Sequence, residues 1–296
     1  MQHDERQGVL IALAGFASLA FGDAVVKTMA GEWSPIAVAA LRFAIGATGL
    51  ATMLALREGK AGFRPKNPLL QLGRGFCLAM ATICFFSAIF VMPLAAATSL
   101  VFMSPIFTAL LSGPILKEQV RPATLIASVV AFAGVLVVLR PNLAEVGWIA
   151  VLPLCAALFI SFLVMGNRAA AGQGSSLSMQ VFVACCAAPI LVVAAFIGRA
   201  SGVEALQFGW PDWGIVVRCA VVAVTASTAH WLVYLGTTRA GAATIAPMTY
   251  IQLLVAAGLG WWWFAEAPDL ISLVGAIIII GAGLYLWASG RTAKSH

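Results

Sequence analysis

The sequence predicts an all-α integral membrane fold of ten transmembrane helices in two inverted five-helix repeats, and three observations predict it. Hydrophobic residues make up 62% of the chain, charged residues 9%, and the mean hydropathy is +1.00. Soluble domains are about 25% charged, so a water-soluble fold would lack the groups to cover its surface. Ten apolar runs are long enough to cross a bilayer, which takes about 20 mostly apolar residues. The stretch 240–269 also reads as a second copy of 94–121. Both open on small residues, carry a proline and polar groups, and close on a glutamate; Glu118 and Glu266 lie 148 residues apart in a chain of 296.

In order, the runs are 8–29, 34–56, 69–92, 94–116, 123–140, 146–166, 177–199, 212–235, 242–264 and 270–288. Breakers and charges separate them: Gly31-Glu32-Trp33-Ser34-Pro35, the basic loop 57–68, Arg121-Pro122, Arg140-Pro141, 172–176, 209–212 and Ala267-Pro268-Asp269. None shows the strict alternation of a lipid-facing barrel strand, so the spans are helical. The first run, at about 22 residues, exceeds the h-region of a cleavable signal and reads as a span.

Lysine and arginine set the orientation. With the N-terminus in the cytoplasm, the inner segments hold Arg6, Arg57, Lys60, Arg64, Lys66, Lys117, Arg121, Arg168, Arg239, Arg291 and Lys294, and the outer loops only Arg140 and Arg199. Both termini are then cytoplasmic. Five spans per half is an odd number, so the second half (142–296) enters the membrane upside down relative to the first (1–141). The register continues past the glutamates: Ala133-Gly134-Val135-Leu136 matches Ala282-Gly283-Leu284-Tyr285 at an offset of 149. Inverted repeats mark secondary transporters, whose solute site lies near the midplane between the halves.

The net charge of +6 does not indicate nucleic acid as a partner, because the basic residues sit singly at span ends or in one short loop. Six cysteines lie within apolar runs without metal or redox spacing and read as packing. No cofactor is expected. The partners are the lipid bilayer and a small-molecule solute, and a monomer is expected.

Several features resemble the drug/metabolite transporter superfamily, specifically its EamA-type ten-helix exporters. Lys27 ends the first span, followed by Ser34-Pro35 and Leu41-Arg42-Phe43. The fourth span has Ser104-Pro105 and then Lys117-Glu118. The ninth has Ala246-Pro247, Tyr250 and Gln252, then Phe264-Ala265-Glu266. The resemblance covers the whole chain and rests on the arrangement rather than on one motif. It implies transport of a metabolite such as an amino acid, a flavin, a nucleoside or a drug-like solute, with amino-acid export from a bacterial inner membrane as the specific expectation. The second half departs from the first: Leu253 stands where Pro105 would repeat, and the proline is displaced to Pro247.

Ionisable groups inside a membrane usually line a cavity or pathway. His230 is the only histidine within a span. Ser227, His230, Trp231 and Tyr234 recur at i, i+3, i+4 and i+7 and so share a helix face. The 148-residue offset relates this face to Ala79, Thr82, Ile83 and Phe86, and relates Thr98, Phe102 and Pro105 to Ala246, Tyr250 and Leu253. A mid-helix proline frees a backbone carbonyl, tolerated at membrane depth only inside protein or facing water. His230, Trp231, Tyr234, Tyr250, Ser227, Thr82, Phe86, Thr98 and Phe102 are therefore the candidate solute contacts. Asp23, Lys27, Arg42, Pro105 and Pro247 are the candidates for gating or coupling. Asp23 and Lys27, spaced i, i+4, are expected to pair, and Trp261-Trp262-Trp263 to anchor the outer interface. A membrane enzyme would need a nucleophile, acid or metal set, which one embedded histidine and one embedded aspartate do not supply. A channel is the remaining alternative, separated from a carrier by saturable exchange.

Overall fold

The computed structural model describes residues 2–116, 122–170, 172–240, 246–267 and 269–292. Every regular element among them is helical: α1 Gln2–Lys27, α2 Pro35–Glu58, α3 Pro68–Ile89, α4 Leu94–Val101, α5 Ser104–Leu116, α6 Pro122–Val146, α7 Leu152–Ala169, α8 Ser176–Ala200, α9 Trp213–Ala240, α10 Ile251–Phe264 and α11 Leu270–Thr292. Glu118 and the start of the ninth expected span at 242–245 lie outside the described residues.

Local chemistry explains the starts. Pro35 and Pro68 occupy first-turn positions, where a missing N–H costs nothing. Asn67 and Ser175 cap α3 and α8 by accepting from the N–H groups of Leu70 and Ser178. Asp269 accepts from the N–H groups of Ile271 and Ser272 at the head of α11, and these donors hold its carboxylate below the usual range.

Two expected spans are not single α-helices. The fourth breaks at Phe102-Met103, where the N–H groups of Phe102 and Met103 reach back only three residues, to Ser99 and Leu100. Pro105, the second residue of α5, has no N–H to return to the carbonyl four residues earlier. In the ninth, Ala246–Tyr250, which includes Pro247, forms a 3-10 turn before α10. α6 departs the other way, running past Arg140-Pro141 to Val146.

The principal pairings are α1 with α9 and α10, α3 with α7 and α8, α2 with α8 and α9, α7 with α4 and α5, and α6 with α11. One exchange maps this set onto itself: α1 with α7, α2 with α8, α3 with α9, α4–α5 with α10, and α6 with α11.

The α1–α9 crossing is close because its contact residues are small. A Cβ added at Gly236 would lie 2.6 Å from the Gly8 carbonyl oxygen and 2.7 Å from the Ala12 Cβ. One added at Gly15 would lie 2.9 Å from the Ala229 carbonyl oxygen. Gly236→Ala is therefore expected to force the helices apart and destabilise the protein by about 1–3 kcal/mol, the usual cost of overpacking. The unfolding midpoint in detergent measures it; an unchanged midpoint would mean that the crossing yields freely.

Candidate functional site

One end of the bundle is closed by a polar latch. Lys27, at the end of α1, is 7% exposed and forms an ion pair with Glu266, just beyond α10. Its Nζ also donates to the Met92 carbonyl at 2.7 Å and lies 5.3 Å from the centroid of the Phe264 ring. The other Glu266 oxygen accepts from the Leu94 N–H at 3.1 Å, where a carboxylate complements the start of α4. Ala265 turns the chain into this position with φ +54°, a left-handed conformation costing a non-glycine residue about 1–2 kcal/mol. A more exposed pair, Glu32 with Arg218, lies at the same end, and Arg218 also donates to the Thr28 carbonyl at 3.0 Å. The guanidinium holds the Glu32 carboxyl below its usual range.

Away from the latch lies a cavity of about 270 Å³. Its polar lining consists of Arg42, Arg74, Asn167, Gln180, Ser227 and His230; Phe43, Leu50 and Leu78 are among the apolar residues. Asn167 lies in the last turn of α7, while Arg74 and Gln180 lie in the second turns of α3 and α8, so the cavity extends toward the end of the bundle where these meet. Arg42 is fixed by two rings, its guanidinium 4.6 Å from the Phe43 centroid and 4.9 Å from that of Phe86. Its charge acts on both His230 and Asp23. Asp23 accepts from the Gln252 amide at 3.3 Å. A polar line thus runs from the cavity into the α1–α10 interface. Arg74 is 7% exposed; its Nε donates to Asn167 at 2.8 Å and its Nη1 to Gln71.

The structure brings together Arg42, Ser227 and His230 from the sequence candidates and separates the others. Trp231 and Tyr234 do not line the cavity; their side chains are 58% and 49% exposed. The lining face of α9 is Ala223, Ala226, Ser227 and His230. Trp231 is rotated off that face, and Tyr234 lies a turn beyond the cavity. Thr82 and Thr98 lie outside the cavity lining and are buried, each hydroxyl donating to a carbonyl of its own helix, Leu78 and Leu94, both at 2.8 Å; the Ser227 hydroxyl donates likewise to the Ala223 carbonyl at 2.9 Å, but within the lining. Phe86 is 2% exposed and supports Arg42 from behind. Phe102 and Tyr250 meet each other edge to face, 5.3 Å between centroids, joining the break in the fourth span to the 3-10 turn of the ninth.

The expected Asp23–Lys27 pair does not form, because Lys27 turns to Glu266 and Asp23 to Gln252 and Arg42. Pro105 and Pro247 mark the irregular backbone of the two broken spans, and Pro105 lines no part of the cavity. Trp261 and Trp262 are 67% and 78% exposed, as an interfacial anchor requires. Arg74, Asn167 and Gln180 were not singled out from sequence. The available signal was an arginine a full turn inside a span, which reads equally well as a positive-inside residue.

The described residues form an all-helical bundle with six helices long and apolar enough to cross a membrane, two broken spans and a polar cavity. Residues 6–140 match the model of the EamA-like transporter family. Relatives align over nearly the full length. The pseudopaline exporter CntI of Pseudomonas aeruginosa is 29% identical over 98% of both chains. An S-adenosylmethionine uptake transporter of Rickettsia prowazekii is 24% identical over 97% of this chain and 95% of its own. A riboflavin transporter of Rhizobium johnstonii is 25% identical over 78% and 74%. A solved crystal structure, 18% identical, superposes with a TM-score of 0.64 over 97% of this chain and 98% of its own, a likeness of fold.

Proposed function

We propose that this protein exports amino acids across a bacterial inner membrane by alternating access, with its termini in the cytoplasm and two inverted halves, 1–141 and 142–296, rocking about the cavity. The carrying observation is the cavity itself, closed from one end by the Lys27–Glu266–Leu94 latch and extending toward the other. In the orientation set by the basic residues, the latch faces outward and the cavity faces the cytoplasm, the loading state of an exporter. The pairings that survive exchange of the two helix sets support the inverted halves. At about 270 Å³ the cavity falls just below the roughly 300–1,000 Å³ of pockets for drug-sized ligands, which favours a solute of amino-acid size over a flavin.

Counterflow into proteoliposomes preloaded with unlabelled solute tests this reading. Labelled amino acids are expected to exchange with saturation; exchange of riboflavin or S-adenosylmethionine alone would replace the substrate, and ohmic conductance would replace the carrier. His230→Ala is expected to lower exchange by at least about tenfold, the effect of losing one hydrogen bond to a charged group, with membrane expression intact. Unchanged kinetics would make His230 a packing residue.

A further inference from the structure

Arg74 is a buried cation in the cavity wall whose recorded partners are all neutral. Asn167 and Gln71 accept from it, and the Met179 sulfur lies 3.7 Å from its Nη1. Among the described residues no carboxylate pairs with it: the two ion pairs are Lys27–Glu266 and Glu32–Arg218. Arg42, the other cavity arginine, shares its field with Asp23. Arg74 thus brings to the cavity wall a positive charge that no carboxylate among the described residues pairs with. A desolvated charge is costly unless an opposite charge and hydrogen bonds compensate it.

We propose that the solute supplies that compensation: the cavity takes an organic carboxylate of net charge −1, its acid group on Arg74 and its remaining polar groups toward Arg42, Ser227 and His230. The planar guanidinium fork matches a carboxylate through two parallel hydrogen bonds. Phosphate fits the same fork, but the cavity of about 270 Å³ favours a compact carboxylic acid over the phosphomonoester of a larger metabolite. This rests on the amino-acid reading above and narrows it to acidic amino acids and similarly charged derivatives.

The test uses the full-length protein in proteoliposomes and three amino-acid probes of different net charge: labelled glutamate, alanine and lysine. Glutamate is expected to exchange with saturation, and alanine and lysine at least about tenfold more slowly. Arg74→Gln is expected to raise the glutamate half-saturation concentration by at least about 30-fold, the effect of truncating one partner of a buried charge pair; Arg74→Lys should recover part of it. Glutamate should raise the unfolding temperature of the wild-type protein in detergent but not that of Arg74→Gln. If Arg74→Gln does not fold, the ranking of the three probes and the behaviour of Arg74→Lys still decide. Alanine or lysine exchanging as well as glutamate, or Arg74→Gln exchanging glutamate normally, overturns the charge assignment while leaving a transporter. Saturable exchange of none of the three, nor of riboflavin or S-adenosylmethionine, removes the transporter reading and the charge assignment with it.

Discussion

Glu266→Ala is expected to destabilise the protein in detergent by about 3 kcal/mol, and adding Lys27→Met is expected to restore most of that loss. Removing one partner of a buried ion pair costs about 3–5 kcal/mol, because the other charge is left without compensation. The lower end applies because Glu266 keeps 22% of its side chain exposed, against 7% for Lys27. The single variant leaves the ammonium with only the Met92 carbonyl and the Phe264 ring, and removes the acceptor for the Leu94 N–H. The double variant removes the stranded cation, and an apolar side chain suits the site. Unfolding midpoints of wild type, both single variants and the double variant form the cycle that measures the coupling. Additive effects would show that the pair contributes nothing. The latch ties α1 to α10 and α4 at one end of the bundle, and under the alternating-access proposal it parts in each cycle, so its strength would then bear on turnover as well as on stability.

Arg42→Ala is expected to reduce transport by about two orders of magnitude, because it removes a cavity cation and leaves a buried carboxylate without a nearby opposite charge, a loss of several kcal/mol. Arg42 meets the cavity directly and carries its charge to Asp23 and His230. Without it, Asp23 remains inside the bundle with only the Gln252 amide. Arg42→Lys should recover little, because an ammonium does not reproduce the planar group held by Phe43 and Phe86. Adding Asp23→Asn to Arg42→Ala should restore stability but not transport, separating the cost of the stranded carboxylate from the loss at the site. Initial rates of counterflow with matched protein incorporation measure the effect; near wild-type rates in Arg42→Ala would make the arginine a scaffold residue.

The spans were legible because hydrocarbon imposes a length and composition on any helix that crosses it. The break in the fourth span was legible as Ser104-Pro105, since proline cannot supply the helical N–H. Asp23, Arg42 and His230 stood out because each is costly where it lies. Helix rotation was not legible in the same way. Ser227 and His230 face the cavity, yet Trp231, only one residue further on, does not, because packing of α9 against α1 sets the rotation. The threonines were placed by packing for the same reason: Thr82, Thr98 and Ser227 all bond their own helices, yet only Ser227 lies in the cavity wall.

The order of apolar runs, the breakers between them and the embedded charges belong to the sequence alone, because water and lipid act on each segment independently of its neighbours. Which charge meets which belongs to the tertiary structure. Lys27 finds Glu266 across 239 positions instead of Asp23 four residues away, because α1 packs beside α10 and the turn at Ala265 brings the carboxylate to the end of α1. Arg74 becomes part of a cavity wall only when α3 packs against α7 and α8. A side chain's partners depend on distances that packing creates, and the order of residues along one helix does not contain them.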